Sequence, residues 1–175
     1  MQYTNPRFDT FTILHEHSSQ NTSLQDLPED LAKSVRMSDP VVWPILKTTH
    51  DIINTTNLPW KEIANEVGII VVGNAFPKQY TKKIVNELSE HGRVSPLSFI
   101  NANAGAAISI CCTIYKFQGP TINFTASDEN CHNIAAILAQ QWLKSGAAKY
   151  IFFVIADENE QNGYSVNNKL ITLNK

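Results

Sequence analysis

Six consecutive residues, Ser127-Asp128-Glu129-Asn130-Cys131-His132, hold a hydroxyl, a thiol, two carboxylates and an imidazole. A thiol or hydroxyl attacks well only when a base takes its proton or a positive potential lowers its pKa. Thr121 to Ala126 alternates apolar Ile122, Phe124 and Ala126 with polar residues and reads as a strand. Cys131, Ile134, Ala135, Leu138 and Trp142 then recur at helical spacing, and Gly146 closes that helix. The hexapeptide therefore straddles a strand-to-helix elbow, with Ser127 as N-cap and Asp128 and Glu129 complementing the helix dipole. On this reading Cys131 sits about one turn inside the helix on its apolar stripe, where burial raises a thiol pKa. His132 is adjacent in sequence, but consecutive helical residues do not face each other. A Ser127–His132 acyl-transfer pair is an alternative, although capping explains Ser127 more simply. No residue is assigned as catalytic, and Cys131, Ser127, His132 and Asp128 are the candidates.

His15-Glu16-His17 places two imidazoles on one face of any strand, where they could converge on a metal with a further ligand. No residues with ligand spacing follow, so a polar strand end running into the Ser18 to Ser23 loop is the expectation. Cys111 and Cys112 point to different faces of a helix and cannot together clamp a metal easily. All three cysteines are read as packing residues in a reduced compartment, and no cofactor or metal is expected.

A chain of 175 residues suits one domain, taken as residues 1–175. An apolar fraction of 43%, a charged fraction of 17% and a formal net charge of -2 leave no broad electrostatic handle for nucleic acid. No apolar run is long enough to span a membrane, and Met1 to Asn5 is polar where a signal peptide would be basic and then apolar. A cytoplasmic protein without nucleic-acid or membrane partners is the expectation.

The elements that position the elbow follow from periodicity. Phe8 to Leu14 alternates as a strand with Phe11 and Ile13 inward, and the polar His15 to Glu29 stretch reads as a loop. Pro40 and Pro44 bracket the start of a helix running to about Asn54. Val67 to Gly73 is an unbroken β-branched run, the mark of a strand buried on both faces, and is expected at the centre of the sheet. Pro77 opens a helix through Leu88 with a Tyr80, Ile84, Val85 and Leu88 stripe; a third helix covers Asn101 to Phe117, ending at Gly119-Pro120. Tyr150 to Ala156 is a second buried strand, and the Asp157 to Gly163 link is too short for a crossover helix, so a strand around Lys169 to Leu173 runs antiparallel. The fold class is α/β: a mostly parallel five-stranded sheet with one antiparallel edge strand and helices on its faces.

Pro96, the Asn101-Ala102-Asn103-Ala104-Gly105-Ala106-Ala107-Ile108-Ser109-Ile110 segment, Gly119-Pro120, the strand to Ala126 and Ala147 to Glu158 together resemble the N-terminal half of a β-ketoacyl synthase, of the thiolase-like superfamily. The likeness runs from Leu27 to Glu158 and is to the short chain-length-factor-like proteins of aryl-polyene and related polyketide clusters. The resemblance implies a thiolase-like half-domain. It also implies a nucleophilic cysteine at the elbow, where counting from Gly119-Pro120 reaches Asp128, or Ser127 with a shift of one. Neither is a thiol. The family's catalytic histidines belong to a second half that these residues do not reach.

The resemblance thus implies a non-condensing subunit of polyketide or fatty-acid-type biosynthesis that binds a ketosynthase, an acyl carrier protein or an acyl chain. It implies a homodimer, or a heterodimer with a ketosynthase, paired through Ile122 and Phe124 of the Thr121–Ala126 strand. The alternative from a different class is an acyltransferase or thioesterase working through Cys131 or Ser127, with a base from His132, Asp128 or a partner chain. An unrelated small α/β domain is the third reading. A flavodoxin-like site at Gly73-Asn74-Ala75-Phe76-Pro77 would have too few glycines to cradle a phosphate.

Overall fold

The computed structural model describes residues 11–161 and 163–174. The order of elements is β1 (Phe11–Gln20), α1 (Glu29–Val35), α2 (Val42–Thr55), α3 (Trp60–Ile63), β2 (Val67–Val72), α4 (Lys78–His91), α5 (Pro96–Asn101), α6 (Ala106–Tyr115), β3 (Thr121–Phe124), α7 (Glu129–Ser145), β4 (Tyr150–Glu158) and β5 (Tyr164–Leu173). The five strands form one sheet in the order β1-β5-β4-β2-β3. Strands β3, β2 and β4 pair in parallel, whereas β5 pairs antiparallel to both β4 and β1. The antiparallel strand is therefore present as expected but lies inside the sheet, with β1 at the edge beyond it.

Strand β4, not the Val67 run, is the middle strand. Its Ile151, Phe152, Phe153 and Val154 are fully buried, and burying side chains of this size contributes about 1.5–3 kcal/mol each. All six residues of β2 are buried too, between β4 and β3. Phe152 and Val154 face a core completed by α2 and α6, while Ile151 and Phe153 face one completed by α7.

Several expectations are corrected. Residues His15 to Gln20 continue β1 rather than forming a loop, because β5 starts at Tyr164 and supplies pairing partners out to Ser165. A register shift between Ile13 and His15 bends this strand; such a bulge re-aims the side chains that follow it. Phe11 is buried but Ile13 is 39% exposed, and Phe8 to Thr10 of the expected strand lie outside the described residues. The helix expected over Asn101 to Phe117 is shorter: α6 runs from Ala106 to Tyr115, and Asn101 is instead the last residue of the separate α5. Asn103 Oδ1 accepts the Gly105 amide at 2.7 Å, a local turn that competes with helical hydrogen bonding. The expected α4 stripe is largely turned outward, with Val85 and Leu88 exposed.

Two glycines explain motifs that otherwise look like phosphate loops or chance. Gly73 has φ 147° and a Cβ there would lie 1.9 Å from the Ala156 oxygen; only glycine allows β2 to approach β4 this closely. A Cβ on Gly119 would lie 2.4 Å from the Val67 oxygen. The Gly119 amide donates to that oxygen at 3.1 Å, and Pro120 accepts from the Ile69 amide at 3.1 Å, so Gly119-Pro120 docks the start of β3 onto β2.

Candidate functional site

The elbow forms where β3 ends at Phe124 and α7 begins at Glu129. Its N-cap is Asp128, with φ -77° and ψ 160°, and not Ser127 as expected. A carboxylate reaches the first-turn amides as well as a hydroxyl does and also meets the positive end of the helix dipole. Asp128 Oδ1 accepts the Cys131 amide at 2.8 Å. That hydrogen bond, with further help from Asn130 and His132, holds the Asp128 carboxyl below the usual carboxylate range.

The same carboxylate works against the thiol. Burial, and then the Asp128 charge and hydrogen bond, push the Cys131 thiol up from its ordinary value. A nucleophilic cysteine needs the opposite field. Cys131 is half-buried and packs at the margin of the core beneath α7. His132 is buried on the inward face of α7 together with Ala135, Ala136, Ala139 and Leu143. The stripe expected from spacing is therefore rotated: Ile134 is 52% exposed and the alanines face the sheet. Small side chains let the helix axis approach the strands closely, which apolar spacing alone cannot reveal. Asp128 and Cys131 are brought together, whereas Ser127 is half-buried beside them without capping the helix.

The other cysteines are packing residues. Cys111 is buried, its thiol raised to about 12 chiefly by burial, and burial also raises the half-buried Cys112. His15 Nδ1 lies 3.5 Å from Thr55 Oγ1, and His17 Nδ1 lies 3.8 Å from Asp51 Oδ2. Among the described residues no group of three His, Cys, Asp or Glu side chains is arranged to hold a metal ion. No helix among them is long and apolar enough to cross a membrane.

Strand β3 is the other end of the sheet and, among the described residues, pairs only with β2. Ile122 and Phe124 are half-buried on its α7 side, and Asn123 Nδ2 donates to the Ala104 oxygen at 3.0 Å, tying β3 to the α5–α6 turn. Sequence reasoning missed a groove of about 720 Å³ nearby, walled by Phe99, Ile100, Ala106, Ile110 and Ile114, with Lys116 at its rim. The apolar Leu97-Ser98-Phe99-Ile100 run was its one legible signal. Phe99 is 70% exposed and Ile100 63%, an unusual cost for a short surface helix.

No family model matches the sequence, and no curated protein matches it by sequence. Solved structures match it by shape. A chain of the ketosynthase ApeO in complex with its chain length factor ApeC from Xenorhabdus doucetiae superposes with TM-score 0.69 at 9% identity, over 94% of this chain and 79% of that one. The fold is that of ketosynthases and their chain length factors. A chain of the AntDE:AntF complex, a type II polyketide acyl-carrier protein with its ketosynthase, matches this ketosynthase-like chain with TM-score 0.77 at 11% identity, over 94% of this chain. The ishigamide ketosynthase/chain length factor gives 0.72 at 10%, over 93%. The ketosynthase-like chain spans 62% of the length of each of these two.

Proposed function

We propose that this chain is a non-condensing, chain-length-factor-like subunit of polyketide or fatty-acid-type biosynthesis that works beside a catalytic ketosynthase. The observation that carries the reading is the elbow: on a ketosynthase-like fold, the helix N-terminus that would activate a thiolate is closed by the carboxylate of Asp128. The nearest thiol, on Cys131, is held protonated by burial and by that same charge. Such a subunit contributes surface rather than a nucleophile. The open edge of β3, with Ile122 and Phe124, is the surface proposed to meet the ketosynthase. The apolar groove beside it is wide enough for an alkyl or polyene chain, whose transfer from water contributes about 0.8 kcal/mol per buried methylene. A carrier protein delivers that chain.

Co-expression with a catalytic ketosynthase and its carrier protein from the same source, followed by affinity capture and light scattering, tests the proposal. A stable complex lost on Phe124→Asp supports it. Failure to bind the ketosynthase or its carrier protein contradicts it. The alternative, an acyltransferase or thioesterase using Cys131 or Ser127, is disfavoured by the raised thiol and by Asp128 taking the capping position.

A further inference from the structure

Helices α4 and α5 stand apart from the body of the protein. No residue of either belongs to the cores on the two sides of the sheet. None of the 14 residues of α4 is buried, and in α5 only the polar Ser98 and Asn101 are. The two helices instead hold each other: Glu87 accepts the Ser95 amide at 2.9 Å and the Ser98 hydroxyl at 2.8 Å. Their polar ties to the body gather at the first turn of α4. There the Tyr80 amide donates to Asp39 at 3.0 Å, the Tyr80 hydroxyl donates to the Met37 oxygen at 2.5 Å, and Lys78 pairs with Glu158. Among the described residues, no hydrogen bond or ion pair joins residues 82–101 to any other helix or strand. The far end of the pair returns to the body through the Asn103–Gly105 turn, which Asn123 of β3 holds by the Ala104 oxygen. A segment fixed at two ends and left out of both cores opens at a free energy well below that of the whole fold.

This segment supplies one wall of the apolar groove. Phe99 and Ile100 line it from α5 and Ile110 and Ile114 from α6, and of these only the α6 pair packs against a core. We propose that α4 and α5 move as one lid over the groove, pivoting at Tyr80 and at the Asn103–Gly105 turn. In the empty chain the lid closes and lays Phe99 against Ile110 and Ile114, which takes a ring that is otherwise 70% exposed out of water. An alkyl chain in the groove offers that ring the same apolar surface and holds the lid open. The lid regulates the proposed chain-binding groove and rests on that reading: α5 gates entry of the chain.

Hydrogen exchange and isoleucine-methyl NMR of the full chain, with and without decanoate, read this out, with circular dichroism confirming that every variant is folded. Amides of residues 82–101 exchange with one common protection, at least about tenfold below that of α7 and β4. Asn123→Ala frees the pivot and lowers that protection further while β4 is unchanged. Glu87→Ala splits the block, so that α4 and α5 exchange at different rates. In the free chain the Phe99 ring shows NOEs to the Ile110 and Ile114 methyl groups, and decanoate replaces them with its own. Helices protected as well as α7, helices exchanging independently in the wild type, or a Phe99 ring without NOEs to α6 in the free chain overturns the proposal. Decanoate bound in the groove of a chain whose lid does not move sinks the lid and leaves the groove's assignment standing; a moving lid on a chain that ignores decanoate does the reverse.

Discussion

The carboxylate of Asp128 and the backbone amide of Cys131 lie 2.8 Å apart, and this one contact both caps α7 and sets an anion beside the thiol. Burial first, and then that anion, keep the thiol protonated. Asp128→Asn keeps a capping oxygen and removes the charge. Iodoacetamide labelling of Cys131, followed by mass spectrometry at pH 8, should be slow in the wild type and several-fold faster in Asp128→Asn. An unchanged rate would show that the carboxylate does not govern the thiol.

Asp39 ties together segments far apart in sequence. It is buried, and its carboxylate accepts the Val41 amide at 3.2 Å and the Tyr80 amide at 3.0 Å. Asp39→Ala leaves both donors without their acceptor and should cost about 2–3 kcal/mol in urea unfolding. A loss below about 0.5 kcal/mol would mean that water replaces the carboxylate easily.

His50 should make stability fall in mild acid. Its Nδ1 lies 3.1 Å from the Tyr115 hydroxyl and its Nε2 lies 2.7 Å from Asn54 Nδ2. Burial holds its pKa below the ordinary histidine value of 6.5. Above that value both folded and unfolded chains carry a neutral ring. As pH falls below it the unfolded chain takes the proton first, so stability declines until the folded pKa is passed. Urea midpoints from pH 7.5 to 5 should show this decline, and His50→Gln should flatten it. A wild-type profile that rises toward pH 5 would reverse the sign.

Gly73 is the backbone position least open to change. Its φ of 147° and the 1.9 Å approach of a Cβ to the Ala156 oxygen mean that Gly73→Ala must separate β2 from β4. A loss of about 3 kcal/mol or more, or an insoluble product, is expected. Gly92→Ala is the control, since no atom lies within 4 Å of its Cβ although its φ is 64°; it should cost only about 1 kcal/mol.

Much of the sheet was legible because burial on both faces leaves an unmistakable run: Val67 to Val72 and Tyr150 to Ala156 both read as strands and are strands. The span of α7 was legible from the acidic pair Asp128 and Glu129 at its start and from Gly146, which has φ 75°, although the capping residue itself was misplaced by one. The rotation of α7 was not legible, since Ala135, Ala136 and Ala139 face the sheet for reasons of distance rather than hydrophobicity. The polar half of β1 was hidden because His15 and His17 are only partly covered and sit on an edge strand. The groove at Phe99 and Ile100 was hidden because it needs α5 and α6 to be separate helices, which a single Asn103 turn decides.

The central claim is that the strand-helix elbow of this ketosynthase-like chain holds no working nucleophile. Intact-mass spectrometry after incubation with acyl-CoA and acyl carrier protein thioesters tests it most directly. The chain should emerge with its mass unchanged. An acyl adduct mapped to Cys131 or Ser127 would contradict the account.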